Sequence, residues 1–350
     1  MIADRAQSGE VDEVSSVKPA NLGEPDVLRA TGLVVPWVKG ACTVAVVALL
    51  PLVMPINIAT EILISGIFAM ATNLLIGTAG LYSFGQAAFF GTGGYAAGYL
   101  LAHGWVSLPL TVGFAGLVAG LLAAAVGFIS IKRTGIYFMM LTFACNQLVY
   151  YAAYSWQSIT GGEDGLAGIH RPSLSLPLVA PLAFDDNRAF YALVSLLFLS
   201  TMIFLVRVVG SPFGQILAAA QQNLRRTVSL GYPVASLQLL AFAVAGAISG
   251  IAGALFGMLY RIMPIDSVHW VGSAYVVFMV VIGGTRSMTG PAIGAFVFIW
   301  LQGLLSVAWA RWPLLLGLFV IATMIFQPEG LLALAAQCLR WFAKPARRSR

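Results

Sequence analysis

From Trp37 to Gln327 the sequence runs as apolar stretches, separated only by short groups of charges, prolines and glycines. A run of about 20 apolar residues is the length that crosses a bilayer as a helix. In lipid the backbone must pair its own N–H and C=O groups, which restricts such runs to helices or closed barrels. Ten stretches stand out: residues 37–54, 58–78, 81–102, 108–131, 135–155, 189–206, 234–260, 270–284, 290–310 and 313–327. They predict an all-α integral membrane protein, a polytopic helical bundle of about 8–10 transmembrane helices. Glycines crowd at 77–94 and again around 270–290. There a broken or re-entrant helix is the alternative to a plain span.

Composition points the same way. Only 9% of the 350 residues are charged and 59% are hydrophobic, with mean hydropathy +0.90. Soluble domains keep roughly a quarter of their residues charged, so this chain could not cover a soluble surface. The net charge of +6 is carried largely by short clusters: Lys132-Arg133, Arg225-Arg226, and the tail Lys344, Arg347, Arg348 and Arg350. Such clusters between apolar segments follow the positive-inside rule, and nothing in their setting suggests nucleic acid as a partner. Cys42, Cys145 and Cys338 are far apart, as are His103, His170 and His269, so no disulfide framework or metal spacing emerges.

Alternating the ten stretches from an inside N-terminus places Lys132-Arg133, Arg207, Arg225-Arg226 and the basic tail on one side. Residues 160–188, where Glu163, Asp164, Asp185 and Asp186 outnumber Arg171 and Arg188, fall on the other. Arg261 and Arg311 are isolated exceptions. The expected organisation follows. Residues 1–36 form a polar, disordered cytoplasmic extension without signal-peptide features. Residues 37–335 form the membrane domain, with an exposed outer loop at 160–188 and an inner loop at 210–232, and 336–350 form a basic cytoplasmic tail.

The inner loop has helix signals. Ser211 is a plausible N-cap and Pro212 sits at the first helical position. Alanines and Leu217 favour a short helix, and Gly231 can end it. A short interfacial helix joining two spans is one reading, and a surface that fits a separate ATPase is the other.

A series of motifs bears on that choice. Residues 211–214 (Ser-Pro-Phe-Gly) through Asn223, Arg225-Arg226 and Leu230-Gly231-Tyr232 form the first. The run from Ala79 to Gly91, with Tyr82-Ser83-Phe84-Gly85-Gln86 at its centre, is the second. Gly135-Ile136-Tyr137-Phe138, Thr160-Gly161-Gly162, Ile282-Gly283-Gly284 and Pro328-Glu329-Gly330-Leu331-Leu332 complete it. Taken along the chain from about Ala79 to Leu332, these motifs make it resemble inner-membrane permeases of the branched-chain amino acid family of ABC importers. The coupling segment differs from the family's usual pattern at Gln221, Gln222 and Leu224, where more charge or polarity is usual, and Arg286 interrupts a turn of small residues.

The resemblance implies a transport subunit of a bacterial inner membrane, not an enzyme. Its implied partners are a homologous second permease, two cytoplasmic ABC ATPases and a periplasmic solute-binding protein, with membrane lipid around them. It implies no cofactor on this subunit. No Gly-x-x-x-x-Gly-Lys-Ser/Thr loop is present, so ATP belongs to the ATPase partners. The coupling residues it implies are Ser211, Pro212, Phe213, Gly214, Ala219, Asn223, Arg225, Arg226 and Gly231. Solute could be a branched-chain amino acid or a related small molecule such as urea, an amide or an aromatic acid.

Ser83 and Gln86, three apart, and Thr142 and Asn146, four apart, each share a helix face and offer neutral donors and acceptors. Lining a solute path and bonding between helices are both open to them. Glu163, Asp164, Asp185 and Asp186 are candidates for docking a binding protein. A self-sufficient secondary transporter would need intramembrane carboxylates, for which Glu61 is nearly the sole candidate. A membrane enzyme would need a convergent catalytic constellation, and none is visible.

Overall fold

The computed structural model describes residues 36–104, 107–133, 135–171, 186–327 and 330–331. The expected N-terminal extension up to residue 35, the whole of the basic tail, and Asp185 lie outside the described residues. The chain divides into two units at Leu50. The described part of the first is most of α1 (Pro36–Val53); the rest of the fold belongs to the second.

Every predicted stretch holds a helix. After α1 come α2 (Ile56–Asn73), α3 (Gln86–Ala102), α4 (Leu108–Ser130) and α5 (Ile136–Ser155). A one-turn α6 (Gln157–Thr160) precedes α7 (Asn187–Gly210), the short α8 (Pro212–Gln222) and α9 (Leu224–Ser229), and α10 (Val234–Tyr260). α11 (Trp270–Gly283), α12 (Gly290–Ala308) and α13 (Trp312–Phe326) close the fold. Among the described residues six helices are long and apolar enough to cross a bilayer: α2 with its π-helical continuation, α4, α5, α7, α10 and α12. That is fewer than the 8–10 full spans expected, and two breaks explain much of the difference. α3 and α11 start inside the bundle and have only 17 and 14 residues.

The first break falls in the glycine-rich region. α2 widens into a π-helix at Leu74–Ala79, Gly80 turns left-handed at φ 69°, and α3 starts afresh at Gln86. The second follows α10. Arg261 ends that helix in the left-handed conformation at φ 59°. Strand β2 (Ile262–Met263) then pairs antiparallel with β1 (Leu166–Ala167), in register Leu166 to Met263. A 3-10 turn at Ile265–Val268 leads to α11. Arg261 is the one non-glycine residue with positive φ among the described residues. Since such a residue carries strain of order 1 kcal/mol, Arg261→Gly is expected to leave thermal stability unchanged or raise it, measured as the melting midpoint in detergent.

The core gathers around α2 and α10. α2 is enclosed almost all round, whereas α5, α7 and α12 present most of their surface outward. Leu148, Leu196, Ile203 and Val307 are among the large apolar side chains on those outer faces. α10 carries Gly246, Gly250, Gly253 and Gly257, and its neighbours lie against that stripe. Ala119 and Ala123 of α4 meet Gly250 and Gly246, and α3 crosses with Gly93 against the Gly250 backbone. Phe90 places its carbonyl oxygen where a Gly253 side chain would begin. Without a hydrophobic drive between helices in lipid, close backbone approach of this kind supplies the packing energy.

Alternation along the chain brings Lys132, Arg133, Arg207, Arg225 and Arg226 to one end of the bundle, here termed the basic end. At the opposite end the predicted exposed loop is partly folded in. Thr160 caps the end of α5 by donating to the Trp156 carbonyl at 2.8 Å. Ile169 is buried against Gly98 and Gly257. Arg171 donates to the Met258 and Leu259 carbonyls of α10 at 3.1 and 3.3 Å and to Asn187 of α7 at 2.8 Å, with its guanidinium 4.5 Å from the Phe190 ring centre. That fork ties the C-terminus of α10 to the start of α7, a geometry lysine cannot reproduce. Residues 172–185 of the loop lie outside the described residues.

Candidate transport pathway and coupling surface

A helix that begins inside a membrane protein exposes unpaired N–H groups with no water to meet them. α3 solves this with side chains from two other helices. Thr142 Oγ1 of α5 accepts from the Phe84 N–H at 3.2 Å, and Asn146 Oδ1 accepts from Ala88 at 2.8 Å. Ser273 Oγ of α11 accepts from Ala87 at 2.8 Å, and Ser83 Oγ accepts from Gly85 at 3.1 Å. Asn146 also donates through Nδ2 to the Val268 carbonyl at 3.0 Å, fastening the second break to the first. All four predicted pathway residues are thus brought together. Gln86, Thr142 and Asn146 are 0% exposed and Ser83 only 2%, and the polar groups of Ser83, Thr142 and Asn146 pair with backbone at the start of α3.

Gln86 completes the cluster from the other side. Its amide oxygen lies 3.1 Å from Ser249 Oγ on α10, and its Nε2 has no partner. Ser249 has one proton and gives it to the Ala245 carbonyl at 2.8 Å. Turning the amide over lets Nε2–H donate to the serine oxygen, so that the one serine proton is left for the Ala245 carbonyl. Ser249 and Ser273 escaped sequence reading because a lone serine in an apolar span carries no periodic signal. Their partners are 163 and 186 residues away.

At the basic end α8 starts as the sequence predicts. Ser211 is its N-cap, accepting from Gly214 N–H at 3.5 Å, and Pro212 stands at the first position. A side chain on Gly214 would overlap the Val209 carbonyl, so this glycine lets α8 fold back under α7. Phe213 is partly buried and Ala219 is exposed, while Leu217 and Ala220 face inward. The single helix expected up to Gly231 is instead two. Asn223 leaves helical geometry at φ −153° and its side chain accepts from the Arg226 N–H at 3.0 Å, starting α9. An asparagine that bonds its own backbone competes with helix continuation, and that competition wins here. Gly231, at φ 86°, ends α9. Arg225 and Arg226 are exposed.

α8 is tied to the first break. Gln221 Nε2 donates to the Ile76 carbonyl in the π-helix at 3.4 Å, and its methylenes press on Gly80. The π-helix bonds differently from its α-helical surroundings, and the Gln221 amide takes up one of its carbonyls. Gln221, one of the departures noted in the sequence, therefore has a structural partner. The turn holding Arg286 sits beside the same helix end, where Asn73 Nδ2 donates to the Ser287 carbonyl at 3.2 Å.

The sequence matches the family described as "Branched-chain amino acid transport system / permease component" over residues 54–327. The chain belongs to this family. It is a multi-pass membrane permease component, and the match takes in the helices from α2 to α13. Among curated proteins this permease is 27% identical over 312 residues to the high-affinity branched-chain amino acid transport system permease protein LivM of Escherichia coli, covering 81% of this chain and 71% of that one. The Salmonella typhimurium LivM protein is likewise 27% identical, with the same coverage. A probable LivM permease of Methanocaldococcus jannaschii is 23% identical, covering 62% of this chain and 68% of the other. No solved structure matches.

At the opposite end of this permease Glu163 and Asp164 are exposed on a 3-10 turn. Asp186 is the N-cap of α7, its carboxylate accepting from the Arg188 N–H at 3.3 Å, and Asp185 lies outside the described residues. Glu61 of α2 accepts from the Tyr260 hydroxyl at 2.6 Å, close to the end of α10. Among the described residues no group of three His, Cys, Asp or Glu side chains could hold a metal.

Proposed function

We propose that this permease forms half of the translocation pathway of an ATP-driven importer for branched-chain amino acids or a related small solute. The observation that carries the reading is the link from α8 through Gln221 to the π-helix and break beside α3, in a chain of the permease family. A cytoplasmic helix anchored on a broken membrane helix is a lever: movement of one displaces the other. The partners would be a homologous second permease, two cytoplasmic ATPases and a periplasmic binding protein, in a bacterial inner membrane. The basic end would be cytoplasmic with both termini there, as the positive-inside rule requires of Lys132, Arg133, Arg207, Arg225 and Arg226.

On this reading α8 and α9, with Ser211, Pro212, Phe213, Gly214, Ala219, Asn223, Arg225, Arg226 and Gly231, present the surface to the ATPases. Glu163, Asp164, Asp185 and Asp186 belong to the binding-protein side. Ser83, Gln86, Thr142 and Asn146 hold the break in place and shape the path from behind. Pairing of Glu61 with Tyr260 near a helix end supports a structural carboxylate over proton coupling.

The test uses the assembled importer in proteoliposomes. Arg225→Ala and Gln221→Ala are each expected to lower binding-protein-stimulated ATP hydrolysis several-fold, with normal amounts of the complex. Wild-type stimulation in both variants, or ion-driven uptake by the chain alone, would overturn the reading.

A further inference from the structure

The outer face of α5 carries side chains that neither the start of α3 nor the coupling surface uses. Tyr137 is exposed in its first turn, and Tyr151 and Tyr154 are exposed near its other end. At 1.5 Å per residue these stand about 21 and 26 Å from Tyr137 along the helix. That span is comparable with the hydrocarbon core of a bilayer, about 30 Å, at whose two edges tyrosines collect. Met140 and Leu148 are exposed between them. In length and chemistry this face suits lipid.

At the basic end the face is hollow. An open groove of about 580 Å³ is lined by Arg133, Tyr137, Met140, Leu141 and Ala144. Its size falls within the range of small-molecule sites. The last four residues recur at helical spacing, so the groove follows one side of α5 for two turns, about 10 Å. Met140 also borders a second groove of about 290 Å³, lined by Phe84, Met139, Phe143 and Trp270. Two apolar troughs thus lie side by side, with one flexible thioether between them. Arg133 is exposed at the mouth, and the neighbouring Lys132 ammonium lies 5.1 Å from the Phe128 ring centre. The acidic residues among the described ones are Glu61, Glu163, Asp164, Asp186 and Asp266, and all belong to the opposite end or the second break. None of them offers these two cations a counter-charge.

We propose that the groove headed by Arg133 binds an anionic phospholipid from the surrounding leaflet. The guanidinium fork takes the phosphate through paired N–H groups, and Lys132 adds to the positive field. One acyl chain lies along Tyr137, Met140 and Ala144, and the other enters the trough at Phe143 and Trp270. Basic pockets at the cytoplasmic level of membrane helices recognise anionic headgroups in this way. A second permease suits the place less well. Inserted in the same orientation, it would bring its own basic end to this level and set cations against Arg133 and Lys132. Placing the groove in the cytoplasmic leaflet rests on the importer reading; the binding itself rests on the groove and its charge.

The test counts lipid on the assembled importer by native mass spectrometry, after delipidation in detergent and exchange with phosphatidylglycerol or phosphatidylcholine. The wild-type complex is expected to retain phosphatidylglycerol several-fold over phosphatidylcholine. Arg133→Gln is expected to lower retained phosphatidylglycerol at least threefold, and Arg133→Lys to recover part of it. Ala144→Trp fills the exposed groove and is expected to lower retention of both lipids, which decides the matter should Arg133→Gln reduce the amount of complex. Arg207→Gln, which does not line the groove, should retain lipid as wild type does. Equal retention of the two lipids, wild-type retention in Arg133→Gln or Ala144→Trp, or displacement by inorganic phosphate would overturn the site. Loss of the second permease from the Ala144→Trp complex, with lipid retained, would assign the face to that subunit instead. A complex that retains lipid in the expected pattern but does not import with ATP would remove the importer reading alone.

Discussion

Replacing Gly253 by valine is expected to leave almost no folded protein. A Cβ at this position overlaps the Phe90 carbonyl oxygen and comes within 3.2 Å of the Gly94 nitrogen. These are backbone atoms, so no side chain can turn aside to make room. Overpacking a core typically costs 1–3 kcal/mol because neighbours shift, and here α3 and α10 must separate, so the cost is expected to reach about 3 kcal/mol or more. Gly253→Ala should fall between, since one methyl already collides. The measurement is the monodisperse fraction after detergent extraction, with the melting midpoint of whatever survives. Gly113→Ala and Gly303→Ala serve as controls, because nothing lies within 4 Å of either added methyl. Wild-type behaviour of Gly253→Val would mean that α3 and α10 do not cross at backbone contact.

The second large effect is expected at Asn146. Its amide accepts from Ala88 and donates to Val268, so Asn146→Leu leaves two buried backbone groups unpaired at once. Each such group costs about 1–3 kcal/mol, and lipid offers no water to rescue them. Thr142→Val and Ser273→Ala each remove one acceptor, for Phe84 and Ala87 respectively, and should cost about half as much. Asn146→Asp keeps the acceptor for Ala88 and loses the donor to Val268, so it should lie between. Thermal unfolding of the purified variants ranks the four. A ranking in which Asn146→Leu is mildest would show that these polar groups are not what holds the start of α3.

The positions of the helices were legible from the chain itself, because apolar runs between charges are a local signal. So was the start of α8, where Ser211 and Pro212 carry the capping information within four residues. The two breaks were legible only as places where glycines crowd. What occupies them was not, because the partners of α3 come from α5 and α11, far along the chain. The same four polar residues fit a solute path and a set of caps equally well on spacing alone. Burial separates the roles, and burial is a property of the assembled bundle. Asn223 was read as part of a continuous helix because alanines and leucine surround it, whereas its side chain bonds the backbone of the next turn.

The start of α3 also has a history. Ala87 reaches its acceptor only when Ser273, 186 residues later, has been made. At roughly 5–20 residues per second that interval lasts about ten to forty seconds during synthesis. Through all of it this short helix has an unpaired N–H facing the interior, with Asn146 arriving earlier to hold one of its neighbours. Assembly must therefore run backwards over already inserted segments, the last third of the polypeptide completing a helix in the first. A nascent chain arrested before Ser273 would carry an open seam at Ala87.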